Sequence, residues 1–133
     1  MEAILNLDTT FLIDLQRERR QGIQGSACRL LDIHAKALLT CSAIAWGEFV
    51  EGLSDGARHP VAVFLRSRLI IHPVTERTGE VYGALVRHLR MQGVLIGGND
   101  CWIAAVAKER GEALVTRNQS DFSRVPDLRI VPY

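Results

Sequence analysis

Four acidic residues follow or precede apolar runs at positions that a parallel sheet would gather at one edge. Asp8 comes directly after the first apolar run, and Glu48 lies one turn into the helix predicted after the second. Asp100 begins the helix that leads into a later run, and Asp121 follows that run by five residues. Neighbouring carboxylates repel one another unless a cation holds them, and an all-oxygen set favours Mg²⁺ or Mn²⁺. Phosphodiester hydrolysis is the chemistry that such an ion best supports.

Each of these acids also has a purely structural interpretation. Asp8 would cap the first helix, Asn99 or Asp100 would cap the helix over residues 101–110, and Asp121 would cap a turn. Glu48 fits this alternative least, because its neighbours in the predicted helix are largely apolar. The remaining aspartates have no comparable placement and are predicted to be solvated: Asp14, Asp32, Asp55 and Asp127.

The apolar pattern predicts short strands alternating with helices. The strands are expected at residues 3–7, 37–41, 69–74, 113–116 and 128–133. Helices are expected from residue 9, from residue 26, and over 43–53, 56–68, 75–91 and 99–111, whereas 16–25 is polar enough for a mobile surface loop. Continuously apolar strands are typical of a parallel sheet covered on both faces, so the fold class is three-layered α/β.

Length and composition indicate one globular domain over residues 1–133. With 47% hydrophobic and 23% charged residues, the chain is neither disordered nor fibrous, and the absence of a long apolar run excludes a membrane span and makes the cytosol the expected location. The net charge of +1 advertises no partner. Apart from Lys36 and Lys108, the basic residues are arginines, whose planar fork suits phosphate, although a GC-rich genome produces the same bias.

Several other chemistries lack their motifs. The three cysteines are odd in number with no CxxC spacing, which argues against disulfides and zinc, and the four histidines have no metal-ligand spacing. Dinucleotide, P-loop and GxSxG signatures are absent. A haloacid-dehalogenase-like metal phosphatase remains an alternative, but it needs a second aspartate where the chain reads Asp8-Thr9-Thr10.

Four segments together carry a family resemblance. They read LDTTFLIDL, SAIAWGEFVEGL, IGGNDCWIAAVA and LVTRNQSDFSRVPDLRIVPY. In this order and at these separations, the chain resembles PIN-domain ribonucleases, in particular VapC-type toxins of bacterial toxin-antitoxin pairs. The resemblance implies a PIN fold with a five-stranded, mainly parallel sheet. It also implies Mg²⁺- or Mn²⁺-dependent endonucleolytic cleavage of RNA, a homodimer, and inhibition by a cognate antitoxin protein.

The resemblance also assigns roles to residues. The family's acids fall on Asp8, Glu48 and Asp100, with Asp8 and Asp100 as direct metal ligands. The last motif falls on Thr116, Asn118, Asp121 and Phe122. Because Asn118 supplies no charge, the fourth acid is assigned to Asp121, which with Glu48 reaches the metal through water. Thr116 and Asn118 would orient substrate or water. The alternative within this fold is a non-catalytic PIN-like module that binds RNA.

Overall fold

A five-stranded parallel sheet forms the centre of the computed structural model, which describes residues 3–133. Its strands are β1 (Ile4–Leu7), β2 (Leu38–Ser42), β3 (Ile70–His72), β4 (Ala113–Val115) and β5 (Ile130–Val131). They lie in the order β3-β2-β1-β4-β5, and every neighbouring pair is parallel. The predicted α/β class and parallel sheet are confirmed, and the central position of β1 explains its buried, unalternating sequence.

Helices connect the strands and cover the sheet. They are α1 (Thr9–Gln21), α2 (Ser26–Ile33), α3 (Ala43–Glu51), α4 (Pro60–Arg66), α5 (Glu76–Gln92), α6 (Gly98–Arg110) and α7 (Gln119–Phe122). The chain moves from β1 outward to β2 and β3, then returns through α5 and α6 to β4 on the other side of β1. Because parallel crossovers are right-handed, this reversal places α5 and α6 on the opposite face from α1 and α2.

Local sequence signals determine several helix ends. The Ser42 side chain accepts a hydrogen bond from the Ala45 N–H and so caps α3, as the sequence predicted. Thr75 and Thr78 form a reciprocal capping box at the start of α5. Gly93 ends α5 with φ of 67°, a left-handed conformation that glycine adopts without steric cost.

Three predictions about local structure were wrong. Residues 16–25 are not a loop throughout, because α1 continues to Gln21 and buries Leu15 and Glu18 on its inner face. The single helix predicted over 56–68 is a short 3₁₀ turn at Gly56–Arg58 followed by α4, which Pro60 begins. Asp121 was assigned to a turn after β4, but it lies in one turn of helix, α7, whose Phe122 is buried in the core.

The core contains side chains from both faces of the sheet, including Phe11, Leu12, Ile103, Leu114 and Phe122. The cysteines are free thiols: Cys41 and Cys101 are buried, and Cys28 is half-buried. Burial raises the pKa of Cys41 to about 12, so this thiol stays protonated and behaves as an apolar residue. Within the part of the chain that the structure describes, no helix is both long enough and apolar enough to cross a membrane.

Candidate active site

The reversal of the chain direction lies between β1 and β4, at the centre of the sheet. Asp8 follows β1 directly and Thr116 follows β4 directly, so both lie at the carboxyl edge. In open parallel sheets this point is where neighbouring connections part and leave a crevice. Asp100 reaches the same region from the first turn of α6. The topology therefore brings together residues far apart in the sequence.

Asp8 is a helix cap and a buried acid at the same time. Its Oδ1 accepts a hydrogen bond of 2.9 Å from the Phe11 N–H and begins α1, so the structural interpretation is confirmed. Yet the residue is only 4% exposed, and burial raises the pKa of Asp8 to about 6, with the carboxylates of Asp100 and Asp14 adding to the rise. Hydrogen bonds from Thr116 and Phe11 oppose this rise without cancelling it. A cap alone has no need of such acidic neighbours.

Asp100 connects the acids of this region electrostatically. It is not a cap, because Gly97 occupies the N-cap position of α6 and no side chain bonds there. Burial raises the pKa of Asp100, and the charges of Glu48 and Asp121 raise it further. Asp100 in turn raises the pKa of Asp8, so Asp100 interacts electrostatically with each of the other three predicted acids. We call Asp8, Glu48, Asp100 and Asp121 the acidic pocket.

Glu48 is held in place from two helix starts. The Thr9 hydroxyl donates a hydrogen bond of 2.6 Å to Glu48 Oε1, and the Asn99 side-chain amide donates one of 3.1 Å to Oε2. Glu48 itself projects from α3, so its carboxylate joins α1, α3 and α6. The half-buried side chain is therefore directed toward the acidic pocket and away from open solvent.

The last motif forms a small hydrogen-bonded group after β4. The Asn118 N–H donates to the Thr116 hydroxyl oxygen (3.0 Å), and the Asn118 side-chain amide donates to Asp121 Oδ2 (3.1 Å). Thr116 is fully buried, and hydrogen bonding by its hydroxyl lowers the pKa of Asp8. Thr116 therefore orients the Asp8 carboxylate, and Asn118 orients that of Asp121, which also has Arg124 3.6 Å away.

The donor set suits a hard divalent cation in its chemistry, since it consists of carboxylate oxygens, and neighbouring carboxylates contribute to the raised pKa values of Asp8 and Asp100. It does not form a closed cage. Across residues 3–133, no three Asp, Glu, His or Cys side chains are close enough together to hold a metal ion. Asp8 and Asp100 have raised pKa values, so their ionised forms are the ones that a bound cation would stabilise most.

One part of this region was missed by the sequence analysis. Asp14 was predicted to be solvated, but its side chain is only 3% exposed and forms ion pairs with Arg17 and Arg117. The Tyr133 hydroxyl donates a 2.8 Å hydrogen bond to Asp14 Oδ2, and its ring packs edge-on against Phe11. The signal was present in the helical spacing, because Asp14 lies between Phe11 and Glu18 on the stripe that α1 buries.

A second buried polar group lies on the sheet away from the acidic pocket. Glu112 accepts hydrogen bonds from Asn6 (3.2 Å) and Thr40 (2.7 Å), and its Oε2 lies 3.0 Å from His72 Nε2. His72 is thus a buried histidine with a polar partner, as expected for a structural residue. Its contacts are with these core groups and not with the acidic pocket.

The fold and the site define a parallel α/β domain with acidic side chains at the carboxyl edge of its sheet, and comparison with known proteins identifies the family. The model of the PIN domain matches residues 6–128, and the chain therefore belongs to the PIN domain family.

Its curated relatives are named ribonucleases, and several of its structural neighbours come from VapBC complexes. The chain is 29% identical over 130 residues to Ribonuclease VapC1 of Haemophilus influenzae, covering 95% of each protein. It is 33% identical to Ribonuclease VapC2 of Rickettsia felis over 95 residues, which is 68% of this chain and 70% of that one. The structure resembles VapBC2 from Rickettsia felis bound to a promoter DNA fragment (TM-score 0.83, 26% identity, 98% of each chain). It also resembles VapBC-1 from nontypeable Haemophilus influenzae (TM-score 0.81, 25% identity, 97% of each chain).

Proposed function

We propose that the chain is a divalent-metal-dependent endoribonuclease that acts as a toxin and is neutralised by a protein antitoxin. The observation that carries the proposal is the pair formed by buried Asp8 and half-buried Asp100, two carboxylates on separate elements whose pKa values are both raised by burial and by neighbouring carboxylates, that of Asp8 in part by Asp100 itself. This pair lies at the carboxyl edge of a PIN-family sheet. Relatives named as ribonucleases support RNA as the substrate.

Asp8 and Asp100 would hold the ion directly, and Glu48 and Asp121 would reach it through water. A bound Mg²⁺ or Mn²⁺ would lower the pKa of a water molecule and neutralise charge on the phosphate. The chain's own groups prepare the ligands for this: Thr116 fixes the Asp8 carboxylate, while Thr9 and Asn99 fix that of Glu48. Asn118 positions Asp121 and, with Thr116, lies where substrate or water would be oriented.

An antitoxin and a second copy of the chain are the proposed protein partners. Several similar structures are VapBC toxin-antitoxin complexes, which supports the antitoxin. The homodimer rests on the family resemblance and on apolar side chains that the core does not fully enclose. Trp46 and Leu53 are only partly buried against the core, and Ile13, Val63 and Met91 are exposed.

The family match favours this function over a haloacid-dehalogenase-like phosphatase, as does Thr10 at the place where that mechanism needs a second aspartate. A non-catalytic RNA-binding module is favoured less, because all four acids are present and at least two have raised pKa values. A binding surface for RNA gains nothing from uncompensated negative charge.

Cleavage of RNA by the purified chain, freed of any partner, tests the proposal. With Mn²⁺ or Mg²⁺ we expect cleavage within a panel of structured and single-stranded RNAs, and none in EDTA. Asp8→Asn and Asp100→Asn should each lower the rate at least about 100-fold, because each removes a ligand charge and keeps the side-chain shape. Asp55→Asn, an exposed aspartate outside the pocket, is the matched control and should cleave normally.

Thermal unfolding measures metal binding independently of cleavage. At a hundredfold excess over Kd, Mn²⁺ should raise the free energy of unfolding of the wild type by about 2.7 kcal/mol, and that of Asp100→Asn by much less. Equal stabilisation of both would show that Asp100 does not hold the ion. RNA binding without cleavage would indicate the binding module, and hydrolysis of a phosphate monoester without RNA cleavage would indicate the phosphatase.

A further inference from the structure

Beside the acidic pocket lies a compact basic group built on one buried acid. Asp14 Oδ1 lies 2.9 Å from Arg17 Nη1, and Asp14 Oδ2 lies 3.3 Å from Arg117 Nη1. The Arg17 and Arg117 side chains are 42% and 55% exposed, whereas that of Asp14 is 3% exposed. The two guanidinium groups are thus held by ion pairs with a buried carboxylate, while their arginine side chains remain exposed to solvent. We call Asp14, Arg17 and Arg117 the arginine pair and its anchor.

This group adjoins the reacting region. Arg117 lies two residues after Val115, whose carbonyl oxygen accepts a hydrogen bond of 3.2 Å from the Asp8 N–H. Asp8 is the N-cap of α1, and Asp14 lies six residues further along the same helix, about 9 Å away along its axis. The Tyr133 ring packs edge-on against Phe11, which lies between Asp8 and Asp14 in α1, and its hydroxyl donates a hydrogen bond to Asp14. A nucleic-acid strand that places one phosphate at Asp8 therefore has another within reach of these arginines.

The arginines keep donors for a ligand. Within residues 3–133, Asp14 Oδ1 has no hydrogen-bond donor even though Arg17 Nη1 is close, so that ion pair is not a directed hydrogen bond. Each guanidinium has five N–H donors in a planar fork, a shape that matches the oxygens of a phosphate. One carboxylate against two guanidiniums leaves one positive charge in excess.

Binding of RNA at the acidic pocket also calls for positive charge nearby. The acidic pocket repels the polyanionic backbone of RNA on either side of the bond to be cut. We propose that Arg17 and Arg117 form a binding site for a backbone phosphate of the RNA next to the one that is cleaved, with Asp14 as their positioning residue. This inference rests on the proposed ribonuclease function and adds the residues that hold the substrate.

Binding of a short, fluorescein-labelled single-stranded RNA to the full chain in EDTA tests the proposal without cleavage. Arg117→Gln should raise Kd about three- to tenfold and lower the slope of log Kd against log salt by about 0.7, the share of one phosphate contact on a single strand. Arg17→Gln should act in the same direction. Arg117→Lys keeps the charge and should keep the slope. In Mn²⁺, Arg117→Gln should raise KM for RNA by a similar factor and leave kcat nearly unchanged.

Arg110→Gln is the matched control, since Arg110 is exposed at the far end of α6, about 18 Å from the helix start. It removes the same charge and should leave Kd, slope and KM as in the wild type. An Arg117→Gln variant that unfolds at lower temperature but keeps the wild-type slope and KM would overturn the proposal and leave Arg117 as a structural partner of Asp14. In that case wild-type cleavage still supports the ribonuclease function, whereas a wild type that neither binds nor cleaves RNA would overturn both.

Discussion

Helix α1 has a buried carboxylate at each end, and the pKa values of the two are shifted in opposite directions. Asp8 caps the first turn, and Glu18 lies in the last turns, only 2% exposed. Burial alone would raise the pKa of Glu18, but the backbone N–H groups of Cys28 and Ala27 lower it below its usual value. Asp8 has one such backbone donor and acidic neighbours, and its pKa is raised.

The difference lies in the groups that face each carboxylate. Glu18 Oε1 accepts from the Cys28 N–H (2.9 Å) and Oε2 from the Ala27 N–H (3.1 Å), so it caps α2 from a neighbouring helix. This satisfies donors that α2 cannot satisfy itself, since its N-cap residue is Gly25. Both carboxylate oxygens of Glu18 therefore have a structural role in the fold. The ionised Asp8 carboxylate keeps an unfavourable burial and unfavourable charge interactions that a proton or a bound cation would relieve, which is typical of a functional group.

The largest effect should come from removing the satisfied carboxylate. Glu18→Ala leaves the first N–H groups of α2 without an acceptor and opens a cavity, so we expect a loss of about 4 kcal/mol in the free energy of unfolding. Glu18→Gln, which keeps one acceptor oxygen, should lose less. Chemical denaturation at neutral pH measures both, with Glu51→Ala on the exposed end of α3 as control. A loss below about 1 kcal/mol for Glu18→Ala would remove the contrast with Asp8.

At Asp8, in contrast to Glu18, we expect the ionised carboxylate to lower the free energy of unfolding. Its pKa is about 6 in the folded chain against 3.8 for the ordinary aspartate, so the folded state binds the proton more tightly. Protonated Asp8 therefore contributes to the free energy of unfolding. This contribution is fully present below pH 3.8 and is lost as the pH rises through 6. In EDTA, the wild type should therefore lose about 2 kcal/mol more than Asp8→Asn between about pH 4.5 and about pH 7.

Asparagine preserves the cap in that variant, because its carbonyl oxygen still accepts from Phe11. Unfolding free energies of the wild type, Asp8→Asn and the exposed control Asp55→Asn, measured at both pH values, separate the contribution of Asp8 from that of other titrating groups. If wild type and Asp8→Asn had parallel pH profiles, Asp8 would not carry the strain that distinguishes it from Glu18.

The sequence was sufficient for the strands and for the acids placed after them. An apolar run followed by Asp8 predicts both a buried strand and the edge at which the acid lies, because all five strands are parallel. Helix limits were predicted well where glycine or a capping residue marks them, as at Ser42, Gly93 and Gly111. The start of α7 is marked only by Asn118 at its N-cap, whose side chain makes no capping hydrogen bond, and the burial of Phe122 in the core is a tertiary contact.

The buried acids inside α1 could not be predicted in the same way. A charged residue in a polar helical segment is normally solvated, and Asp14 and Glu18 are exceptions only because of partners from elsewhere. The partner of Asp14 at Tyr133 is 119 residues away, and those of Glu18 belong to the next helix. Both acids stand at positions that the helical period puts on the inner face of α1, although Asp14 was predicted to be solvated and Glu18 to lie in a loop. Only the tertiary contacts explain how that face accepts charge.

The smallest effect tests how closely Glu18 is fitted. A Cβ atom added at Gly25 would lie 2.5 Å from the carboxyl carbon of Glu18, so Gly25→Ala must displace the carboxylate and weaken its bonds to α2. We expect a loss of about 1 kcal/mol in unfolding free energy, since the flexible side chain yields part of the way. Gly97→Ala is the matched control, because Gly97 also occupies an N-cap without a side-chain bond and its added Cβ would meet only Asp100, at 3.9 Å. A double-mutant cycle completes the comparison: with Glu18→Ala already present, Gly25→Ala should cost nothing further, because the atoms it displaces are gone. Additive losses in the double variant would mean that Gly25 acts through the backbone and not through Glu18.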